Sequence, residues 1–353
     1  MTVRDDQSRS TDASRRSVGI NVHGSAVDLR CGLPGLRQVI ADLLGEMIVD
    51  GWPDGFAPAE GWIDRYDADV VARSLSSTAK LVAVFTETAE LWADGERLWL
   101  IDEAWGVCEL NLLRRTFRSW VLDQALLDPV RCLEQAVLWP MSQVLIGKNV
   151  SLLPASGFIH EGRGILLISP FSAEAELAML ASAGHALISQ RWVAIREDPQ
   201  SASRPMMQRV GMLAEHTAAP QPRSRLSHSN PAQGWVDLYT TYPTAERQAR
   251  CDAIMVIEPG RRTTPSVRQL TGASSSAAVR RAWPIPDSPM GPKQSQFAGR
   301  LAAGSQVFQV ELSRDAKALL RLLHQLPTDH AIVRPTALTP RRLPQTASPV
   351  RSH

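Results

Sequence analysis

The turn that follows the apolar run Gly164–Ser169 is where this sequence could carry out phosphate chemistry. Gly164–Ser169 predicts a fully buried strand, and Glu174–Ala183, which ends before Gly184, predicts a short helix. A strand-to-helix turn of this kind often binds phosphate, because backbone N–H groups and the helix N-terminus present partial positive charge to an anion. A phosphate-binding loop also needs glycines for close approach, a lysine for the β- and γ-phosphates and a hydroxyl for Mg²⁺.

The side chains at this turn do not supply that chemistry. The loop positions are Ser169, Pro170, Phe171, Ser172, Ala173, Glu174, Ala175 and Glu176. The sequence has no glycine between Gly164 and Gly184 and no lysine between Lys148 and Lys293, and the loop carries two carboxylates instead of a cation. A carboxylate about 4 Å from a phosphate charge is repelled by roughly 1 kcal/mol in water and by several in a shielded cleft.

Glu174 and Glu176 also have a structural explanation. Acidic side chains in the first turn of a helix interact favourably with its dipole, typically by a few tenths of a kcal/mol to about 1 kcal/mol. We expect this structural role, in which the two carboxylates stabilise the helix end that ATP would otherwise occupy.

The surrounding pattern predicts a βαβ unit and a parallel sheet. Apolar runs before and after the helix predict further strands, and a leucine-rich segment after Ser313 predicts a closing helix. The predicted strands are Leu152–Phe158, Ala186–Ile188, Trp192–Ile195, Trp235–Tyr239, Ala253–Ile257 and Val307–Leu312, and the closing helix ends at Gln325.

The preceding part of the chain predicts a mixture of helices and strands. An i, i+3, i+4 rhythm from Leu36 to Met47 indicates an amphipathic helix that begins near Pro34. Lys80–Phe85 and Arg97–Ile101 are expected to pair, with the turn at Asp94-Gly95, and most of the tryptophans in this part are expected to pack in its core. The predicted helices are Leu112–Gln124 and Val130–Val144, with Pro140 starting, kinking or ending the second.

The segment Leu152–Asp198, LLPASGFIHEGRGILLISPFSAEAELAMLASAGHALISQRWVAIRED, resembles the nucleotide-binding core of HPr kinase/phosphorylase-like proteins. The later stretches MVIE (Met255–Glu258), PSVRQL and FQVELSRDAKALLRLL resemble the C-terminal half of that family. The N-terminal block resembles the small subdomain that precedes the core in HPr-kinase-related proteins found beside peptide-modification genes. The resemblance covers roughly residues 19–325. It implies an α/β fold: an HPr-kinase C-terminal-like, PEP-carboxykinase-type P-loop core with a smaller α+β N-terminal subdomain.

The departures from the family pattern affect the residues that would carry the chemistry. The acidic pair that would hold Mg²⁺ and activate a hydroxyl is matched by Gln190 and Arg191, and the histidine of the strand before the loop is matched by Pro154. No catalytic residue, no metal site and no cofactor are therefore expected. Arg191 has two interpretations, as a replacement phosphate clamp or as the ion-pair partner of a neighbouring acid such as Glu197, and we expect the ion pair.

Three functions remain open from the sequence. The first is a catalytically degenerate HPr-serine-kinase-like protein that acts as a binding or regulatory module for a protein or peptide partner, in the setting of peptide modification. The alternative is an active ATP-dependent protein or peptide serine kinase with an atypical site. It would use ATP and Mg²⁺, with Arg163 or Arg191 as the cation and Ser169, Ser172 or Ser189 with a glutamate at the metal. The third is an unrelated α/β binding protein, because fold alone does not determine function.

Composition predicts four segments along the chain. They are a disordered tail at 1–18, an N-terminal α+β subdomain at 19–145, an HPr-kinase-like core at 146–326 and a Pro/Arg-rich tail at 327–353. The 38 basic and 36 acidic residues leave a charge of +2, which argues against a dedicated nucleic-acid binder. No secretory signal or membrane span is expected, and no oligomeric state is predicted.

The remaining reactive residue types give weak signals. The four cysteines form no Cys-x-x-Cys pair, so we expect a cytoplasmic protein with reduced, buried thiols. His160, His185 and His216 show no metal-ligand spacing, and surface or loop roles are expected for them. Gly147-Lys148-Asn149 lacks the earlier glycine and the hydroxyl of a phosphate loop, and we expect a helix cap or a turn there.

Overall fold

The structure is a computed structural model that describes most of the chain between residues 17 and 326. The described ranges are 17–52, 57–84, 88–169, 174–197, 204–210, 213–215, 235–237, 247–259, 265–282, 291–312 and 318–326. Apart from residues 17 and 18, which begin the first strand, the two predicted tails lie outside these ranges. The described part is a mixed α/β protein with several sheets, parallel and antiparallel.

The first part of the chain forms a nine-stranded sheet. Its strands are β1 (Ser17–Val22), β2 (Ser25–Cys31), β3 (Ile48–Val49), β4 (Ala59–Arg65), β5 (Lys80–Val84), β6 (Ala89–Asp94), β7 (Arg97–Asp102), β8 (Gly106–Asn111) and β9 (Thr116–Val121). The order across the sheet is β3-β1-β2-β4-β9-β8-β7-β6-β5. Helices α1 (Pro34–Leu44) and α2 (Ala68–Ser74) lie in its connections, and α1 buries Leu36, Ile40 and Leu44, as its apolar spacing predicts.

The hairpin predicted at Asp94-Gly95 is present, but between different strands. Gly95 has φ +57° in the turn that joins β6 to β7, and β5 pairs with β6 on the other side. The predicted direct pairing of Lys80–Phe85 with Arg97–Ile101 is therefore wrong. β6 is the strand that the sequence reading missed, and it takes the place of β5 beside β7.

The helix predicted at Leu112–Gln124 is also wrong. Residues Thr116–Val121 form β9, which pairs with β8 through a turn at whose end Arg115 has φ +57°. The strand sequence TFRSWV is rich in β-branched and aromatic residues, which pack well on a pleated surface. Its pairing with β4 on one side and β8 on the other places it inside the sheet, where tertiary contacts override the helical rhythm.

The helix predicted at Val130–Val144 is present with an interruption. It consists of α3 (Pro129–Leu133), a π-turn at Glu134–Leu138 and α4 (Trp139–Leu145). Pro140 lies in the first turn of α4 and cannot donate a hydrogen bond to the carbonyl of Ala136. That carbonyl instead accepts a hydrogen bond from Ser119 Oγ in β9, 2.7 Å away, which ties the interrupted helix to the nine-stranded sheet.

The second part of the chain contains three smaller sheets. The first is four-stranded and antiparallel, in the order β10 (Val150–Leu153), β14 (Val193–Arg196), β15 (Met206–Arg209) and β18 (Gln248–Arg250). A two-stranded sheet pairs β16 (Leu213–Glu215) with β17 (Trp235–Asp237). The six-stranded sheet has the order β13 (Ala186–Ser189), β11 (Ser156–His160), β12 (Arg163–Ile168), β19 (Ala253–Pro259), β21 (Gln306–Leu312) and β20 (Ser266–Leu270). The single strand predicted at Leu152–Phe158 is wrong, because β10 and β11 belong to different sheets.

The six-stranded sheet contains the βαβ connection. α5 (Glu174–Ser182) joins β12 to β13, and β12, β19 and β21 are parallel neighbours. β11 is antiparallel to both β12 and β13, so the two strands joined by α5 point the same way but are separated by β11. The predicted βαβ unit is present with this inserted strand.

Gly164 sets the spacing where β12 approaches β19. A Cβ at this position would overlap the backbone carbonyl oxygen of Arg250. The Gly164 N–H donates to Asp252 Oδ2 at 3.0 Å, and the Asp252 N–H donates to the Gly164 carbonyl at 2.8 Å. The absence of a side chain at Gly164 therefore permits the close backbone approach that starts the parallel pair.

The six-stranded sheet is covered on both faces. Ile165 and Leu167 of β12 face an apolar cluster that includes α5 and α8 (Ala318–Leu323), while Leu166 and Ile168 face the main core with α6 (Gly272–Arg280) and α7 (Gly291–Ala303). The main core also contains the buried side chains of the nine-stranded sheet. Among the described residues, no helix combines the length and apolar character that crossing a membrane requires.

Candidate functional site

The register of the six-stranded sheet places the carboxyl-terminal ends of β12 and β13 at the same end of the sheet. β12 ends next to Ser169, and β13 ends at Ser189, just before Gln190. Between them β11 begins at Ser156, which is the partner of Leu167, and Gly157 is the partner of Ser189. Because the carboxyl ends of β12 and β13 meet at this edge, Ser169, Gln190 and the segment that precedes β11 are neighbours in the fold.

The loop itself is described in part. Pro170, Phe171, Ser172 and Ala173 lie outside the described residues. Glu174 and Ala175 begin α5, and Glu176 is half-buried in its first turn. This position suits the helix-dipole role expected for the two glutamates, which stays a prediction.

Arg191 forms an ion pair with Glu134 rather than with Glu197. The guanidinium Nε lies 2.6 Å from Glu134 Oε1, and Nη2 donates to Oε2 at 2.8 Å, which is a two-oxygen contact across 57 residues of chain. Arg191 has φ +63°, and Glu134 occupies the π-turn between α3 and α4. The ion pair expected for Arg191 is present, but its predicted partner is wrong.

Glu134 is held in a poorly solvated position. Its side chain is 15% exposed, and burial raises its pKa above the ordinary value, while the adjacent Arg191 acts in the opposite direction. A carboxylate in such a place depends on its partner, so Arg191 has a structural role here.

Glu197, the partner first expected for Arg191, pairs with Arg300 of α7. Arg300 Nε donates to Glu197 Oε2 at 2.7 Å, whereas Oε1 is buried with no hydrogen-bond partner among the described residues. Burial raises the pKa of Glu197 to about 7, and the hydrogen bond and the charge of Arg300, together with a hydrogen bond from the Leu301 backbone, oppose the rise.

Gln190, directly before Arg191, is buried and carries no charge. The residue is 4% exposed, and neither atom of its amide has a hydrogen-bond partner among the described residues. It lines a narrow cleft together with Glu134, Arg191 and Trp192. A neutral amide and a guanidinium paired with a carboxylate are both poor ligands for Mg²⁺, which prefers charged oxygen ligands.

A larger cavity adjoins this cleft, and we call it the junction cavity. Its volume is about 470 Å³, within the range of small-molecule and side-chain binding sites. Glu134 and Trp192 line both spaces, and Pro154 lies in the wall of the junction cavity. The lining residues are Thr88, Ala89, Leu100, Asp102, Trp105, Arg131, Glu134, Gln135, Trp139, Ser142, Gln143, Leu152, Pro154 and Trp192.

The walls of the junction cavity combine aromatic rings with polar groups. Trp105 Nε1 and Gln135 Oε1 are buried with no hydrogen-bond partner in the described part of the chain. Asp102 is 7% exposed and accepts a hydrogen bond from the backbone N–H of Ala104. Sequence reasoning expected most tryptophans to be core residues and missed this cavity, because its wall comes from β6, β7, α3–α4 and the segments around β10 and β14.

Three histidines form a cluster at the opposite end of the strands of the six-stranded sheet. His160 ends β11 and is buried, His185 precedes β13, and their Nδ1 atoms lie 3.5 Å apart. His324, directly after α8, stacks edge-on against His160 with ring centroids 5.5 Å apart. The surface or loop role expected for His160 is wrong, and His216 lies outside the described residues.

The imidazoles of this cluster are shifted toward the neutral form. Burial lowers the pKa of His160, and the neighbouring His185 lowers it further. Burial and His324 likewise lower the pKa of His185. All four cysteines are free and buried, as the sequence predicts, and none belongs to the lining of the junction cavity or to the histidine cluster.

Comparison with known proteins gives limited similarity. No family model matches the chain, and no curated protein matches it. Among solved structures it is similar to the HPr(Ser) kinase/phosphatase from Coxiella burnetii, with 12% identity and a TM-score of 0.28, over 50% of this chain and 95% of that one. This is a weak structural likeness, and it carries no conclusion about function.

Proposed function

We propose that this chain is a non-catalytic binding module of HPr-serine-kinase-like type, and that the junction cavity receives part of a peptide or protein partner. The observation that carries the proposal is the two-oxygen ion pair between Arg191 and Glu134. In the family resemblance Arg191 stands at the position of a magnesium-binding acid, and its positive charge is neutralised by the carboxylate of Glu134. The finer fold assignment, an HPr-kinase-like core at 146–326 after a subdomain at 19–145, belongs to the same proposal.

Electrostatics supports the absence of phosphoryl transfer. Transfer of a phosphoryl group depends on positioned cations and on metal-binding carboxylates. At this edge Gln190 is neutral, Arg191 is paired, and Glu174 and Glu176 add negative sequence charge to the start of α5. The guanidinium of Arg191, which the alternative kinase would need for phosphate, is in contact with Glu134.

The junction cavity supports a binding role. A volume of about 470 Å³ holds one or two large side chains, and tryptophan walls with a few polar groups are typical of sites that recognise partly apolar ligands. Trp105 Nε1 and Gln135 Oε1 offer one donor and one acceptor that a peptide amide could satisfy.

We expect Mg-ATP at millimolar concentration to leave the melting temperature of the full chain unchanged. A ligand present at a hundred times its Kd would add about 2.7 kcal/mol to the free energy of unfolding, a readily measured shift. Thermal unfolding with Mg-ATP, with Mg²⁺ alone and with ATP alone checks this. A clear shift with Mg-ATP that Arg191→Met abolishes would reverse the proposal in favour of the kinase with an atypical phosphate site.

We expect peptides selected from a random phage-displayed library to bind the wild-type chain through the junction cavity. Thr88, which is exposed at the cavity, is the blocking position, and Thr88→Trp is expected to weaken the selected peptides at least tenfold. Leu113→Trp adds an exposed tryptophan in the β8–β9 turn, outside the cavity lining, and serves as the matched control. Equal binding by both variants would show that the cavity is not the binding site.

A further inference from the structure

Three polar side chains from two segments of the chain converge where β11 ends and β12 begins in the six-stranded sheet. His160 ends β11, Glu161 lies in the turn to β12, and His324 follows α8. Their ligand atoms all lie within 4.8 Å of one another. We propose that His160, Glu161 and His324 form a binding site for one Zn²⁺ ion, with His185 as a positioning residue.

The distances are close to those of a tetrahedral zinc site. His160 Nε2 lies 3.9 Å from Glu161 Oε1, and His324 Nδ1 lies 4.0 Å from the same oxygen. Ligand atoms bound to zinc at about 2.1 Å are about 3.4 Å apart, so these pairs need to close by roughly half an ångström. Glu161 and His324 have side chains that are 60% and 68% exposed, which leaves them room to move.

The buried atom of the cluster favours an ion over simple ring stacking. His160 Nε2 is buried and has no hydrogen-bond partner among the described residues, while the His160 side chain is 5% exposed. Leaving a buried polar atom unpaired is unfavourable, and the ring contacts with His185 and His324 do not satisfy it. A metal ion between Nε2 and the two exposed side chains would satisfy it.

His185 provides the contact that orients His160. The two Nδ1 atoms are 3.5 Å apart, so an Nδ1–H of His160 that points at His185 leaves the Nε2 lone pair facing Glu161 and His324. Metal-binding histidines commonly donate their second ring N–H in this way, which fixes both tautomer and ring orientation. The tautomer required for metal binding is therefore the one that the His185 contact favours.

The donor set selects among the common divalent ions. Two imidazole nitrogens and one carboxylate oxygen are ligands typical of zinc and other late transition metals, whereas Mg²⁺ and Ca²⁺ prefer oxygen alone. Glu161 supplies negative charge to the site. Arg163 is the opposing cation nearby, and its Nη2 is directed at Gln306 Oε1, 2.6 Å away. With three protein ligands, water would complete the coordination at the exposed side.

The geometry of the turn between β11 and β12 allows the side chains of His160 and Glu161 to approach the same metal ion. Glu161 has φ +50° and Gly162 has φ +75°, which are the left-handed conformations of a tight hairpin turn between β11 and β12. α8 packs Leu319, Leu322 and Leu323 onto the same sheet, so its end delivers His324 to this turn. β12 spans six residues, or about 20 Å. The histidine cluster lies at the amino-terminal end of β12, and the junction cavity lies toward its carboxyl-terminal end. The proposal is therefore independent of the proposed function.

The test is a calorimetric titration of the full, metal-stripped chain with Zn²⁺ at neutral pH. One equivalent is expected to bind, whereas Mg²⁺ is expected to give no signal. Glu161→Gln and His324→Ala remove exposed ligands and are expected to weaken Zn²⁺ binding at least tenfold, while Glu96→Gln, an exposed acid in the β6–β7 turn, is the matched control. Substitution by Co²⁺ should give visible d–d bands without a thiolate charge-transfer band, since the cysteines are buried.

The positioning role of His185 is tested with two substitutions that remove or replace its contact with His160. His185→Ala is expected to weaken Zn²⁺ binding by about ten- to hundredfold, and His185→Asn, whose amide oxygen can accept the same hydrogen bond, is expected to recover most of the affinity. Far-UV circular dichroism and thermal unfolding of the metal-free variants check that each is folded. The proposal is overturned if the wild-type chain binds no stoichiometric Zn²⁺, or if folded Glu161→Gln and His324→Ala variants bind it as tightly as wild type.

Discussion

Replacement of Arg191 by methionine is expected to lower the free energy of unfolding by about 3–5 kcal/mol, because it leaves the buried carboxylate of Glu134 without its partner. Glu134 is 15% exposed, and both of its oxygens contact Arg191. Methionine keeps an unbranched stem at a position with φ +63°, so the substitution chiefly removes charge and hydrogen bonds. Urea unfolding followed by circular dichroism measures the change.

The pH dependence of this defect identifies its cause. Burial already raises the pKa of Glu134, and loss of Arg191 raises it further. The cost of Arg191→Met should therefore be largest at neutral and alkaline pH and should shrink as the pH falls and Glu134 takes up a proton. A defect of constant size would mean that packing, rather than the unpaired charge, is responsible.

Two further variants complete the Arg191 test. The double variant Arg191→Met/Glu134→Gln is expected to cost clearly less than the sum of the single changes, because neither charge is then left unpaired. Arg65→Met is the control, since Arg65 and Asp123 form an ion pair at 2.9 Å with side chains 69% and 67% exposed. Loss of an exposed pair of this kind costs about 1 kcal/mol or less. Equal losses at the two sites would contradict a structural role for Arg191.

The local signals of the sequence predict local features of the fold well. The spacing of Leu36, Ile40 and Leu44 predicts the buried face of α1, and Asp94-Gly95 predicts the turn between β6 and β7. The same information does not decide strand neighbours. β9 carries helix-like spacing but is held between β4 and β8. β4 lies far from β9 along the chain, so the pairing of these two strands is not visible in local periodicity.

In the candidate site, too, the sequence predicts the local features but not the contacts between distant residues. The closeness of Ser169 and Gln190 follows from the order strand, helix, strand, and the sequence shows that no acidic residue stands at positions 190 and 191. The partner of Arg191 is not visible, because the nearer acid, Glu197, points to Arg300 and the more distant Glu134 is delivered by a π-turn. Charge signs indicate that Arg191 needs an acid, but the fold decides which one.

The histidine cluster was missed for a related reason. His160 and His185 are separated by 25 residues, and His324 comes from the far end of the described chain, so no motif spacing joins them. They meet because β11 and the start of β13 are neighbours and α8 packs on that sheet. The position of His160 at a strand end beside a Glu-Gly turn was the one local signal.

Glu197 is expected to make the protein less stable as the pH rises. Its pKa in the folded chain is about 7, compared with an ordinary value of 4.5, so the folded state binds the proton more tightly than the unfolded state does. The contribution of this group is most favourable below pH 4.5 and is lost as the pH rises to about 7. At about 1.4 kcal/mol per pKa unit, reduced by the partial exposure of Arg300, the loss is about 2–3 kcal/mol.

Two opposing effects act on Glu197, and the structure indicates which is larger. Arg300 donates to Oε2 and favours the carboxylate, but Oε1 is buried without a partner among the described residues, and the side chain is 4% exposed. Arg300 is 32% exposed, so solvent weakens its attraction for the carboxylate. Burial of the carboxyl group therefore outweighs the Arg300 ion pair and the hydrogen bond from the Leu301 backbone, and it favours the protonated acid.

The comparison of wild type with Glu197→Gln isolates this group from the other titrations. Glutamine has nearly the same shape and no charge, so the variant should match the wild type near pH 4.5 and become more stable than it by about 2 kcal/mol above pH 7. Urea unfolding at several pH values measures the difference, and Glu103→Gln, at an exposed position, is the matched control. If Glu197→Gln instead loses stability relative to wild type as the pH rises, the Arg300 ion pair dominates and the assignment of a raised pKa is wrong.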